Sequence, residues 1–273
     1  MSLATTQWTF GGINLQNGRA WNVRLLSPSE ALSRRGDNVV VPGISGQAHV
    51  AKGLEQRQLT LALVVTGESR PGQAPSGQAL AANLDILSAL FGASGQQALT
   101  RTRGIRTETA QAECVNLNVV PRGPIHADLI VDLWLADPLW YATTATSAST
   151  GFSSVPASPL VVVNGGTYAA RNMTVTLACP ASPAASLTNP KITIGSFWAK
   201  YTGVIAAGQS LVIQPHLFAA TYAGNSVVSG MSWNESNGPI WLELARGSNN
   251  VVVSADGISN TPTITVSFYA PNL

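Results

Sequence analysis

Bulky apolar and polar residues alternate with a period of two along most of this chain. Gln7-Trp8-Thr9-Phe10, Ala20-Trp21-Asn22-Val23-Arg24-Leu25 and Arg57-Gln58-Leu59-Thr60-Leu61-Ala62-Leu63-Val64-Val65 carry the pattern. Such a period sends alternate side chains to opposite faces of a strand. Strands are also expected at 98–102, 106–120 and 127–136. One segment departs from the rule. Leu80, Leu84, Leu87 and Phe91 recur at helical spacing, with Ser76 placed to cap the start and Gly92 the end. This predicts an amphipathic helix lying on a sheet. Asn17-Gly18 reads as a hairpin signal between the first two strands. Ser33 to Gly46 has no regular period and reads as a long loop, and the Pro/Gly/Ser-containing stretch from Glu68 to Gly77 as another.

The long strand at 127–136 halts at Asp137-Pro138-Leu139-Trp140-Tyr141. Proline lacks the N–H a ladder needs, so Pro138 belongs at a strand end or edge. Ala, Thr, Ser and Pro dominate from Ala142 to Pro159, with too few large apolar groups for a core element. A β-rich run then opens at Leu160. We read two β-domains in series, 1–150 and 151–273, with the seam just past Tyr141. No helix is expected after 160. Strands are expected at 160–163, 173–178, 191–194, 198–202, 210–214, 240–244, 250–254 and 263–269, with a hairpin tip at Ala223-Gly224-Asn225-Ser226 and a turn at Arg246 to Asn250. Short strands at this density indicate a β-sandwich or jelly roll. The expected fold is mainly β: an N-terminal β-sandwich-like domain with one packed helix and long loops, then a C-terminal β-sandwich.

Composition sharpens this picture at one point. Charged residues are 10% of the 273 residues, against roughly 25% in an ordinary soluble protein. Interface cores are depleted in charge. The deficit implies a neutral Ser/Thr/Asn/Gln surface, a surface lost to partners, or both. Fifteen basic and 13 acidic residues give a formal net charge of +2, and no basic stripe with interleaved aromatics points to nucleic acid. The densest basic stretch, Arg101-Thr102-Arg103-Gly104-Ile105-Arg106, reads as the outward face of a strand and turn. The lesser reading is a contact with an acidic partner surface. Cys114 and Cys179 stand alone, without disulfide or metal spacing. The first residues lack the basic and apolar regions of a signal peptide, and no apolar run is long enough to span a bilayer.

Catalytic, cofactor and metal sites are not expected. His49, His126 and His216 lie far apart in sequence, without triad or zinc spacing. A glycosidase needs two carboxyl groups flanking the sugar bond. The second half offers only Glu235, Glu243 and Asp256. Sugar binding without cleavage is the more serious possibility, with Trp198, Tyr201, Tyr222, Trp233 and Trp241 as stacking faces; the competing reading is that alternate members point into the sandwich. Arg35-Gly36-Asp37 reads as a turn.

Several segments taken in order resemble the distal tail proteins, or siphovirus-type tail components, of long-tailed bacteriophages. They are the loop ending Val41-Pro42-Gly43-Ile44-Ser45-Gly46, the strand from Arg57 followed by a loop and the Leu80 to Phe91 helix, and the strand end Asp137-Pro138-Leu139-Trp140-Tyr141. Asn164-Gly165-Gly166 and the stretch from Trp241 to Val253 complete the set. The resemblance spans essentially the whole chain. It implies a ring-forming first half, a galectin-like second half, and a hexameric ring in the virion joining tail tube to tail tip or baseplate, made in the host cytoplasm. Implied partners are copies of itself, tail tube protein and hub or tip proteins, with host-surface glycans under the alternative of a carbohydrate-binding module for adsorption. Trp8, Phe10, Arg34, Arg35, Val41, Trp140 and Tyr141 are nominated as interface residues. Trp140 and Tyr141 have an equal claim to pack the two domains together.

Overall fold

The computed structural model describes residues 6–25, 34–40, 47–68, 74–238 and 240–273; residues 25, 34–40, 47–53 and 237 are described by backbone alone. Residues 1–141 with Leu273 form one compact unit and residues 142–272 a second.

In the first unit, β1 (Gln7–Phe10), β2 (Ile13–Asn14), β3 (Trp21–Leu25), β4 (Arg34–Val40), β5 (Gln47–Leu54) and β6 (Arg57–Thr66) precede α1 (Gly77–Phe91). Then follow β7 (Gln97–Arg103), β8 (Arg106–Gly123), β9 (His126–Leu135) and β10 (Trp140–Ala142). One antiparallel sheet runs in the order β2-β1-β7-β8-β9-β6-β3. The period of two sets its faces. Leu59, Leu61, Leu63 and Val65 of β6 and Leu129, Val131, Leu133 and Leu135 of β9 are buried on one side. Helix α1 packs on β6, β9 and β8. The Ser76 hydroxyl accepts from the Ala79 N–H at 3.1 Å, and Leu80, Leu87 and Phe91 face the core as the spacing predicts. Phe91 stacks on Phe10 of β1, with centroids 5.0 Å apart. Leu84 is only half-buried, and the deeper place goes to Asn83. Its amide donates to the Thr66 and Glu68 carbonyls at 2.8 and 3.1 Å, tying the helix to the end of β6.

Two expectations change here. Asn17-Gly18 does turn the chain: the Asn17 side chain accepts from the Arg19 and Trp21 N–H groups, and Gly18 sits at φ +79°. It does not, however, make a hairpin of β1 and β3. β1 pairs with β2 across Gly11-Gly12, whereas β3 pairs with β6. The stretch from Ser33 to Gly46 is not all loop, because β4 pairs antiparallel with β5. Backbone hydrogen bonding builds that ladder without hydrophobic alternation, and Arg-Arg-Gly-Asp-Asn supplies none to read.

The second unit holds β11 (Thr146–Gly151), β12 (Leu160–Asn164), β13 (Met173–Ala178), β14 (Ser186–Thr188), β15 (Lys191–Ile194), β16 (Phe197–Tyr201), β17 (Val204–Ile205) and β18 (Ser210–Gln214). It continues with β19 (Ala219–Tyr222), β20 (Asn225–Ser226), β21 (Met231–Trp233), β22 (Gly247–Ser254), β23 (Gly257–Ser259) and β24 (Thr263–Phe268). The main sheets are antiparallel, in the orders β11-β24-β13-β18-β19-β20 and β12-β22-β15-β16-β21. Val175, Leu177, Leu211, Ile264 and Val266 from the first and Val162, Ile192, Ile194, Val251 and Val253 from the second share one core. The Ala223-Gly224 tip joins β19 to β20 with φ values of +48° and +80°, the left-handed pair of a two-residue hairpin loop.

The units divide ahead of residue 150, since β11 pairs with β24 in the second unit. A Thr-Ser-Ala-Ser-Thr-Gly strand has almost no apolar signal, so β11 was unreadable; as a partly exposed outermost strand it contributes hydrogen bonds rather than core. Conversely, 240–244 is apolar but forms no strand. Trp241, Leu242 and Leu244 are buried, with only a bridge between Ala170 and Leu244. There the hydrophobic pattern recorded burial, not extension in a ladder.

Candidate functional site

Three nominated interface residues belong to the core. Trp8, Phe10 and Trp140 are at most 3% exposed, so they offer no surface to a neighbouring chain. Their size predicted contact; the inward phase of β1 and the packing of Trp140 edge-on to Trp8 at 5.9 Å turn that contact inward. Tyr141 is partly exposed, and its hydroxyl donates to Asp137 at 2.6 Å. The other Asp137 oxygen accepts from the Leu139 N–H, so the Asp-Pro strand end is a hydrogen-bonded turn. The side chains of Arg34 and Arg35, and all of Val41, lie outside the described residues.

The same core contains an ionic cluster that the sequence reading missed. Arg101 is 2% exposed, and its Nε and Nη2 both lie 2.8 Å from one oxygen of buried Glu108. Its guanidinium carbon sits 4.1 Å over the Trp140 ring. Arg57, 3% exposed, has no hydrogen-bond acceptor on any of its three nitrogens. Burial, and then the neighbouring Arg101 charge, push its pKa down to about 10, while Glu108 pulls the other way. The cluster thus brings the Arg57 and Arg101 guanidinium groups near the Glu108 carboxylate. A signal was present: Arg57 keeps phase with Leu59 and Leu61, and Arg101 with Leu99, so both were assigned to the inward face by their own strands. The expected outward-facing Arg101 is corrected accordingly.

The proposed stacking aromatics of the second unit separate into two groups. Trp241 (1% exposed) and Tyr201 (9%) are core. Trp233 stacks on Trp241 at 5.1 Å, and Tyr222 lies 6.2 Å from Tyr201, so both pack against that core. Trp198 alone of the five lies on the opposite face of its strand, with Lys191 Nζ 4.5 Å over its ring. Five aromatics in one stretch therefore do not make one platform.

The polar groups near them have structural partners. Glu243 pairs with Arg171 at 2.6 Å, and Asp256 accepts from Asn189 at 2.8 Å with Lys200 at 4.0 Å. His216 is exposed on a turn, its pKa lowered by desolvation against an opposing hydrogen bond to the Met173 backbone. No group of three or more His, Cys, Asp or Glu side chains among the described residues could hold a metal ion. Desolvation raises the pKa of both Cys114 and Cys179, the opposite of an activated thiolate. No helix among the described residues is long and apolar enough to cross a membrane.

Exposed large apolar residues occur on both units, among them Val161, Val163 and Leu217 on the second. On the first, Ile105, at the tip between β7 and β8, is fully exposed. Val64, Val115, Val119 and Trp134 of the large sheet are each 40–44% exposed. Ile105 could have been found from sequence, because Gly104-Ile105 between two arginines leaves a large apolar residue where a turn wants none.

Comparison with known proteins bears on the fold as a whole. Neither the known family models nor the curated proteins include a match to this chain. Among solved structures, the chain is similar to the SPP1 Dit (gp 19.1) protein, described as a paradigm of the hub adsorption apparatus in phages infecting Gram-positive bacteria. The TM-score is 0.67 at 16% identity, covering 97% of this chain and 99% of that one. A weaker likeness, TM-score 0.44 at 11% identity, is to the phage P2 baseplate in its activated conformation with Ca, covering 96% of this chain. The first likeness shows that both units, in order, follow a fold already known in a phage Dit protein.

Proposed function

We propose that this protein is a non-enzymatic structural subunit of a long-tailed phage virion, a distal tail protein. It builds a hexameric ring that joins the tail tube to the tail tip or baseplate. One observation carries the reading: the likeness to SPP1 Dit extends over 97% of this chain and nearly all of that one, so it covers both units rather than a common sandwich alone. The charge content supports it independently, since 10% charged residues suit a subunit enclosed by copies of itself and by tube and hub chains. Within this reading the second unit is a galectin-like sandwich on the ring's periphery, and the protein is made in the host cytoplasm before assembly. Gold-labelled antibody to the chain should mark the distal end of intact tails in electron micrographs. Label confined to the capsid, or absent from virions, would overturn the assignment.

The alternative is a carbohydrate-binding module that aids host adsorption through the second unit. Trp198 is the residue that favours it, being on an outward strand face beside Lys191. With Trp241 and Tyr201 buried, the platform is too small to displace the adaptor reading. A glycan array probed with the full chain and with Trp198→Ala separates the two: binding lost in the variant supports the module, and binding by neither excludes it.

A further inference from the structure

The β7–β8 hairpin ends in Arg103-Gly104-Ile105-Arg106, with Arg103 and Arg106 paired across a two-residue loop. Gly104 takes φ +60°, as the first position of a II′-type loop requires. Ile105 is 104% exposed and Arg106 is exposed beside it. An isoleucine at that position contributes nothing to the core of its own unit, and a serine or asparagine would serve the turn as well.

A receiving surface with the opposite character lies on the large sheet. Leu129, Val131, Leu133 and Leu135 face the core, so Asp128, Ile130, Asp132 and Trp134 alternate onto the outer face of β9. Val64 of β6 stands opposite Asp128, and Glu113 of β8 stands opposite Trp134. Trp134 is thus edged by Glu113 across the ladder and Asp132 along its own strand. Asp128 is paired with Arg122 at 2.8 Å, and Asp132 accepts from Thr60 and Asn116. Arg24 of β3 lies opposite Ala62 on the same face, away from Trp134.

We propose that the hairpin tip of one copy docks on this outer face of the next copy, with Ile105 against Trp134 and Arg106 against Glu113. The inference rests on the ring reading and names the contact that closes the ring. Charge complementarity selects the occupant: a basic, apolar tip meets an acidic, apolar face on the same polypeptide. Glu113 lies seven residue steps along β8 from Arg106, roughly 24 Å at strand rise, so a tip cannot reach its own receiving face. Two different patches on one chain make a head-to-tail contact, the kind that closes rings. Trp and Arg are also the side chains that most often dominate interfaces.

Light scattering over a concentration series tests this with the full chain. The set is wild type, Ile105→Asp, Arg106→Glu, Glu113→Lys and the double variant Arg106→Glu/Glu113→Lys. All these side chains are exposed, and unchanged melting temperatures verify folding. Wild type is expected to form a closed oligomer, each single variant to need at least about tenfold more protein to assemble, and the double variant to recover. Assembly unaffected by the single changes, or a double variant no better than either single, overturns the contact while leaving the ring intact. A wild type that stays monomeric overturns the ring reading and this inference together.

Discussion

A buried turn in the second unit and a buried ionic cluster in the first satisfy their polar groups differently. In the turn, Asn164 is 1% exposed and fully engaged: its amide donates to the Tyr168 and Leu244 carbonyls at 2.9 and 3.2 Å, and its oxygen accepts from the Gly166 N–H at 3.0 Å. Gly166 must be a glycine, because a Cβ there would collide with the Pro271 carbonyl oxygen. Asn249, also buried, donates to the Ala245 and Gly247 carbonyls. In the first unit, buried Arg101 pairs with Glu108, while nearby buried Arg57 has no hydrogen-bond acceptor. Neutral amides that find all their partners fix the path of a loop at little cost. A buried cation without a partner opposes folding, and its neighbours' charges set how strongly.

That contrast can be broken in order of effect. Glu108→Gln removes the carboxylate facing both arginines and should cost about 3–5 kcal/mol, seen as the largest fall in urea midpoint. Asn164→Ala removes three hydrogen bonds from a buried turn and should cost about 2–3 kcal/mol. A change within experimental error would mean the turn is held by other contacts. Arg57→Met works in the other direction. It replaces an unpartnered charge by an apolar side chain of similar length and should stabilise by about 1–2 kcal/mol at neutral pH. The sign of its pH dependence follows from the lowered value near 10. The folded protein holds the Arg57 proton less tightly than the unfolded chain does, so wild-type stability gains relative to the variant as pH rises. The advantage of Arg57→Met should therefore shrink as pH rises through about 10, and an advantage that grows would refute the unpartnered assignment. Ser76→Ala should have the smallest effect, about 1 kcal/mol from the lost helix cap, with the fold unchanged by circular dichroism.

How much of this was legible in the chain follows the strength of each local signal. The strands at 173–178, 191–194 and 210–214 were readable to the residue because one face of each is buried. The helix was readable because capping and periodicity agree. β11 and β4 were not, because ladder hydrogen bonds do not require an apolar alternation. The interface nominations at Trp8, Phe10 and Trp140 failed for a related reason: aromatic size marks contact without saying with what. The inward phase of Arg57 and Arg101 is legible in their strands, although it runs against the general preference for charge at the surface. Asn164-Gly165-Gly166, noticed as a family likeness, has a mechanical reason in the buried turn it builds.

The central claim is that this chain is shaped to be surrounded by its own copies. Mass measurement of the purified protein by light scattering at micromolar concentration tests it most directly. A discrete species of about six chains, persisting on dilution, is the predicted result. A single-chain mass at every concentration would contradict the account.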